Sequence, residues 1–436
     1  MDPKIKNRIF YIGWITWFIA AIFYGYEFTL KVSPHTMTAE LIRDFGINNT
    51  QLGKLSAFYF YTYGLTLIPA GYILDRYNYN TSLLLASFAV SLGSFLLAST
   101  SDIYIAYLSR AIIGGGSAFA FLGCLKIASD WLPSKKFPFM VGLTDLFGKI
   151  GALTAGKPLA WLVATQEWRG AMYILANTGL AISVLLLINT ILMPVARRAC
   201  DSHRRLGKTA CNEIAKRNNN ENKIFVDGLK SIIKSKQTWL LAIYGGLLVA
   251  PIIGYVELWG TPFLETAYGI SKQSAASINS LVYIGIAFGG PSIGYLSSRY
   301  QNYKVIMFLC TIISFVCFSL VIYISMPLYL IRILLFIYGA CTSNMLLCFT
   351  LTKIIHSKKI STLAIGFTNT IINIFGAISQ PLIGKILDYY IKTSTHTIHY
   401  PKENFQSAFA ILPVCLILAL PLISQFKTSI IKGVKE

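Results

Sequence analysis

The chain has 436 residues, of which 55% are hydrophobic and only 13% charged. A soluble globular domain carries about a quarter charged residues, so composition excludes an ordinary soluble fold. The net charge of +20 raises the idea of a nucleic-acid partner, and the placement of that charge decides against it.

Apolar blocks of about 20 residues, each long enough as a helix to cross roughly 30 Å of hydrocarbon, recur twelve times along the chain. In order they cover about 9–32, 52–74, 81–100, 103–129, 138–164 and 171–193, then 238–260, 274–296, 305–326, 328–351, 361–386 and 405–426. Short alternating strands of the membrane β-barrel kind are absent. With the N-terminus inside, 25 Lys and Arg fall in the tails and even-numbered loops, and only Arg43, Arg169, Lys272, Lys392 and Lys402 fall in the opposite loops. That asymmetry is the positive-inside bias and predicts both termini in the cytoplasm. The charge is therefore a topology signal, with the lipid bilayer as partner and no nucleic acid. The first block is long and lacks a small-residue cleavage site, so no cleavable signal peptide is expected. Six of the eight cysteines fall inside predicted spans, and Cys200 and Cys211 lie in the middle loop. No disulfide framework or CxxC metal spacing follows from them.

The long polar stretch 194–237 carries eleven Lys and Arg against four acids and divides the chain into halves, 1–193 and 238–436. Its end, "KIFVDGLKSIIKSK" (223–236), places Ile224, Phe225, Leu229, Ile232 and Ile233 on one helical face. It reads either as an amphipathic helix on the inner membrane surface or as a basic linker. The halves repeat. "GYILDRYNYN" (71–80) returns as "GYLSSRYQNY" (294–303), so Gly71 and Arg76 reappear as Gly294 and Arg299, while Asp75 becomes Ser298. At the same offset Gly46-Ile47 matches Gly269-Ile270, and Lys157-Pro158 matches Gln380-Pro381. Duplicated six-helix halves related by an axis along the membrane normal are a transporter architecture, with the substrate site at the midplane between them.

Gly71-x-x-x-Asp75-Arg76 is similar to the loop 2–3 signature of the major facilitator superfamily, and Arg110-x-x-x-Gly114-x-Gly116 resembles its span-four signature. The resemblance covers the whole chain. It departs from the family at Asn78, Tyr79 and Asn80, where a Gly-x-Arg-Arg tail is usual. It implies an all-α polytopic protein of twelve transmembrane helices in two pseudo-symmetric six-helix halves, with spans one, four, seven and ten around the cavity. It also implies that Asp75 contacts the start of span eleven and latches the inner gate. "SAFYFYTYGLTLIPAGYILDR" (56–76) and "KIASDWLPSKKFPFMVGLTD" (126–145) resemble nutrient transporters of intracellular bacteria, including the phagosomal amino-acid type.

An ionisable side chain at the bilayer centre costs about 2.5–3.5 kcal/mol or more, so each is a functional candidate. Spans three, six, nine and twelve hold none, as a lipid-facing scaffold would. Asp145 and Lys149 lie roughly 12 and 18 Å into span five and share a face at i, i+4. Their counterparts in span eleven are Asn369 and Asn373. These four read as a binding element, with Lys149 for a carboxylate and Asp145 for an amine; a purely structural ion pair is the other reading. Arg110 offers a bidentate fork to an anionic group. Glu27 and Glu257, in the outer third, read as carriers of a coupling proton, or for Glu27 as a static pair with Lys31 or Arg110. Lys157 precedes Pro158 where the span must kink, and Arg332 is the approximate repeat mate of Arg110.

Basic residues outnumber acids within the spans, which favours an anionic or zwitterionic solute. No phosphate-binding loop is present, and no nucleophile–base or metal constellation, so neither an enzyme nor a cofactor is expected. The expectation is a monomeric inner-membrane transporter of a bacterial cell. It imports a small carboxylate-bearing nutrient, an amino acid or small peptide, together with protons. The alternative is an exporter of a siderophore or drug-like compound, which the family's drug/proton antiporter pattern disfavours because "GKPLAWL" (156–162) stands in its place.

Overall fold

The computed structural model describes residues 3–131, 137–201, 227–300, 302–357, 360–393 and 402–426, and these form helices joined by short turns, with no strand among them. The first half runs through α1 (Pro3–Val32), a 3-10 turn (Ser33–Thr36), the short α2 (Thr38–Phe45), α3 (Asn49–Arg76), α4 (Tyr79–Ser99), α5 (Ile103–Trp131), α6 (Phe137–Thr154) and α7 (Lys157–Asp201). The second begins with α8 (227–234). There follow α9 (Lys236–Pro251), a π-helical stretch (Ile252–Trp259), α10 (Gly260–Tyr268), α11 (Lys272–Tyr300) and α12 (Tyr303–Tyr323). The chain then forms α13 (Leu328–Thr342), a 3-10 turn (Ser343–Met345), α14 (Leu346–Ile355), α15 (Ser361–Thr393), α16 (Lys402–Phe409) and α17 (Ile411–Ser424).

Nine helical stretches among the described residues are long and apolar enough to cross a membrane. One of them, Gly142–Ile191, is 50 residues long. A straight helix of that length would reach about 75 Å, more than twice the hydrocarbon thickness. It breaks at Glu167, where φ is 58° and ψ 166°, so predicted spans five and six meet there. The kink expected at Lys157-Pro158 also occurs, because α6 ends at Thr154 and α7 starts at Lys157. Its repeat mate Pro381 lies inside an unbroken α15. The repeated Gly-Ile pair behaves alike in both halves: Gly46 and Gly269 each cap a helix with φ 59°, the left-handed C-cap that glycine adopts without a Cβ penalty.

In the first half α1 packs on α5 and α6, α3 and α4 pack on α5, and α4 packs on α7. In the second α9 packs on α15 and α17, α11 on α13, and α12 on α13 and α17. Two seams join them: α3 against α15, and α6 with α7 against α11. The helices without charge carry apolar side chains on their outer faces, as Leu85, Phe88, Leu92 and Phe95 do on α4. That stripe, at helical spacing, is the surface a bilayer solvates. In α8, Ile232 is buried with Ala364 and Phe367 of α15, with Leu229 alongside, while Ile233 stays exposed. The amphipathic face thus packs partly on protein. Ile224, Phe225, Cys211 and the rest of 202–226 lie outside the described residues.

Candidate functional site

The end of the bundle holding residues 33–49 and 252–273 is the one that the charge bias assigns to the outside, and is called the outer end. Here the π-helical stretch of the second half meets the last turns of α1. Pro251 supplies no N–H to the ladder, and the widened turns that follow expose carbonyls that must find donors in a membrane. Gln380 Nε2 donates to Ile253 O at 2.9 Å and Asn279 Nδ2 to Val256 O at 2.7 Å. Short π segments mark functional positions in many helices. This one carries Glu257.

Glu257 is 1% exposed and its Oε1 lies 3.1 Å from Lys31 Nζ, an ion pair between the halves. Its Oε2 is buried with no hydrogen-bond partner among the described residues. Glu27, also 1% exposed, accepts a 2.5 Å hydrogen bond from Tyr59 Oη. Arg110 donates from Nη1 to Leu30 O at 2.9 Å and from Nη2 to Lys31 O at 3.4 Å, and its guanidinium lies 5.1 Å from the Tyr59 ring centre. A cation at a helix C-terminus, where α1 ends, is favoured by the helix dipole. In this state the fork expected to meet substrate therefore secures the backbone that carries Lys31.

Asp145 and Lys149 form the expected i, i+4 pair at 3.2 Å, with Asp145 half exposed. Lys149 Nζ also lies 5.0 Å from the Phe28 ring, whose centre is 4.6 Å from Lys31 Nζ. The two ammonium groups share this ring and are thus within about 10 Å of each other, each gaining from its π electrons. Asn373 donates to Asn369 Oδ1 at 2.9 Å. These asparagines sit on α15, which packs on α3 and α9, whereas α6 packs on α1, α5 and α11. They line up with each other and stand on a separate wall from Asp145 and Lys149.

Among the described residues, polar contacts joining the halves gather at the outer end. Asp388 of α15 caps α3: its Oδ1 accepts from Asn49 N at 2.9 Å and Asn49 Nδ2 at 2.7 Å, its Oδ2 from Thr50 N at 2.8 Å and Thr50 Oγ1 at 2.5 Å. Close approach makes this possible: a Cβ on Gly384 would fall 2.2 Å from Asn49 O, and one on Gly53 2.5 Å from Gln380 O. His35 Nδ1 and Thr261 Oγ1 are 2.9 Å apart, Lys272 pairs with Glu40, and deeper in, Thr370 Oγ1 donates to Gly64 O at 2.9 Å. The outer end is closed.

Of the expected gate, a Cβ added at Gly71 would meet Leu122 Cδ1 at 3.9 Å, and one added at Gly294 would have nothing within 4 Å among the described residues. Arg299 is exposed, and the side chains of Asp75, Arg76 and Ser298 lie outside the described residues. Lys126 pairs with Asp130 at 3.6 Å. Sequence reasoning missed Lys31 as the partner of Glu257, Phe28 as the ring between two cations, and Asp388. The only signal for Lys31 was its place one turn from Glu27, and for Asp388 there was none.

A family model described as Major Facilitator Superfamily matches residues 10–380. The chain is 25% identical over 313 residues to the uncharacterized transporter YybO of Bacillus subtilis (strain 168), covering 69% of this chain and 70% of that one. It is 23% identical over 375 residues to the lysosomal dipeptide transporter MFSD1 of Homo sapiens, covering 82% and 76%. Among solved structures it superposes on a bacterial homologue of the human lysosomal transporter Spinster, inward-facing and unoccupied, with TM-score 0.73, 15% identity and 99% of each chain covered. A D-xylose–proton symporter gives TM-score 0.67 at 15% identity, covering 98% of this chain and 99% of that one. At such identity the structural likeness is one of fold.

Proposed function

The chain belongs to the Major Facilitator Superfamily, whose members matched here are transporters and not enzymes, and from that premise we propose that it imports a small zwitterionic nutrient, an amino acid or short peptide, with protons. Two halves of six membrane helices, residues 1–193 and 238–436, rock about the seams of α3 with α15 and of α6 and α7 with α11, exposing the site to each side in turn. Residues 194–237 join them on the cytoplasmic side.

The observation that carries this reading is the pair of neutral acid–cation couples gathered at Phe28, Lys31–Glu257 and Asp145–Lys149. A zwitterion carries both charges and can replace either couple without leaving a bare charge in the membrane. Consecutive Cα atoms are about 3.8 Å apart, so the charged ends of a short peptide span a separation comparable to the roughly 10 Å or less between the two ammonium groups. Lys149 receives the substrate carboxylate, Asp145 or Glu257 its amine, and Asn369 and Asn373 the opposite wall. Glu257, with one free buried oxygen, and Glu27 are the proton carriers. Arg110 holds Lys31 in place while the outer end is closed and is released to substrate when it opens. A relative named as a dipeptide transporter agrees with this solute class.

The test is uptake into proteoliposomes from a pool of labelled amino acids and di- and tripeptides under an imposed pH gradient. A member of that pool should accumulate above equilibrium when the interior is alkaline, and a protonophore should abolish the excess. Accumulation unaffected by the proton gradient removes the coupling, and transport of none of the pool removes the solute class.

A further inference from the structure

Away from this cluster, a cavity of about 290 Å³ opens at the outer end on the seam between the halves. The turn from α6 to α7 packs tightly there, since a Cβ on Gly156 would fall 2.2 Å from Ser280 Oγ of α11. That contact sets Lys157 beside the first turns of α11, and Arg332, in the second turn of α13, lines the same cavity from the other half. Gln273, Ser274 and Ser277 add polar groups, and Ile278 and Leu281 form an apolar wall.

We propose that this cavity binds a phosphate group, supplied by the headgroup of an anionic phospholipid in the outer leaflet. Neither Lys157 nor Arg332 has an ion-pair or hydrogen-bond partner among the described residues. The described outer-loop cations are all engaged: Arg43 with Asp44, Lys272 with Glu40, Arg169 with the carbonyls of Ala98 and Thr100, and Lys402 with Ser325. Both cations are exposed at the cavity, and with no acid among its described lining residues they favour an anion from outside the chain. An arginine fork and a lysine ammonium are a phosphate-binding set, and the start of the long α11 adds the favourable end of a helix dipole. The volume is at the lower limit for a ligand pocket, the size of a headgroup. The Ile278–Leu281 wall takes the beginning of an acyl chain. Because the two cations belong to different halves, an occupant holds the outer end closed.

The experiment uses the full chain in nanodiscs of phosphatidylcholine, with and without a minor fraction of phosphatidylglycerol. It reads retained lipid by native mass spectrometry and the thermal unfolding midpoint. Phosphatidylglycerol should be retained by the wild type and raise its midpoint. The double variant K157Q/R332Q should lose retention by about tenfold or more and lose the increment, while melting normally in phosphatidylcholine alone. R332K should keep part of the effect. A second arm adds inorganic phosphate to the pure phosphatidylcholine discs. An Arg332-dependent rise in that arm, without selective lipid retention, overturns the lipid source and leaves the site to a soluble phosphate. Equal retention by wild type and K157Q/R332Q, with no phosphate effect, overturns the site itself. Should the double variant fail to assemble, K157Q and R332Q are compared singly on the same readouts. None of these readouts involves transport, so the result is separate from the import reading.

Discussion

In the first half most charges on the predicted spans are settled against their own neighbours. Asp145 meets Lys149 one turn away, Glu27 meets Tyr59, and Arg110 meets the last carbonyls of α1. In the second half, Glu257 and Asp388 reach across the seam, one to Lys31 and the other to the start of α3. Where the first half has the charged pair Asp145 and Lys149, the second has the neutral Asn369 and Asn373. The repeat is thus uneven: the first half keeps the Asp145–Lys149 pair within one helix, and the second sends Glu257 and Asp388 across to the first, which answers at the outer end with Glu40 on Lys272.

The sharpest way to break this arrangement is at Lys31–Glu257. Lys31→Gln leaves the Glu257 carboxylate buried without its cation, and removing one member of a buried pair costs about 3–5 kcal/mol. Transport should vanish and the unfolding midpoint should fall by several degrees. The double variant K31Q/E257Q should recover most of the stability and none of the proton-coupled accumulation. A Lys31→Gln protein as stable as the wild type would mean that the pair is not an energetic link between the halves.

Next in size is Asp388→Asn. The neutral amide keeps the shape but gives up charge-assisted bonds to two backbone and two side-chain donors, a loss of about 1–2 kcal/mol. That shifts the balance of outer-closed and outer-open states by roughly tenfold. Cysteines placed at Lys54 and Lys385, both exposed near this contact, should react faster with an impermeant thiol reagent in the variant. Unchanged reactivity would reduce Asp388 to a local cap. The predicted inner latch makes the mirror experiment: Asp75→Asn should move the same balance in the opposite direction.

The internal pair should respond differently. Asp145→Asn or Lys149→Gln should abolish uptake while barely moving the unfolding midpoint, because a half-exposed i, i+4 pair contributes little to stability. Near-normal uptake with lowered stability would make the pair a packing element.

These contrasts also mark what the sequence could tell. The membrane helices were legible because an apolar run of about 20 residues matches the hydrocarbon thickness as a helix. The bare spans three, six, nine and twelve did present apolar outer faces such as that of α4. Asp145–Lys149 was legible because both partners sit on one helix at a fixed spacing. Lys31–Glu257 was not, because its partners lie in different halves and meet only through the closure at the outer end. The π-helical turns that aim Glu257 depend on Gln380 and Asn279 catching freed carbonyls, a tertiary condition that no local pattern records. Asp388 reads in sequence as an ordinary acid at a helix end.

The smallest expected effect lies in the first half, outside the membrane, and tests whether Asp44, unlike Glu40 on the same helix, stays local. Asp44 accepts from Arg43 Nε at 2.7 Å and from Trp168 Nε1 at 2.7 Å, tying α2 to the start of the helix after Glu167. The Arg43 hydrogen bond, followed by that of Trp168, holds its carboxyl below the usual carboxylate range. A carboxyl held lower in the folded chain than in the unfolded one stabilises the fold fully above the ordinary Asp range, and that stabilisation fades as pH falls through the folded value. The unfolding midpoint should therefore decline slightly more steeply with acid for the wild type than for Asp44→Asn, the two curves converging at low pH. The variant should leave thiol reactivity at positions 54 and 385 untouched, since both of its partners belong to its own half. A change in that reactivity would show that the Asp44 contact also bears on the seam, as Glu40 does through Lys272.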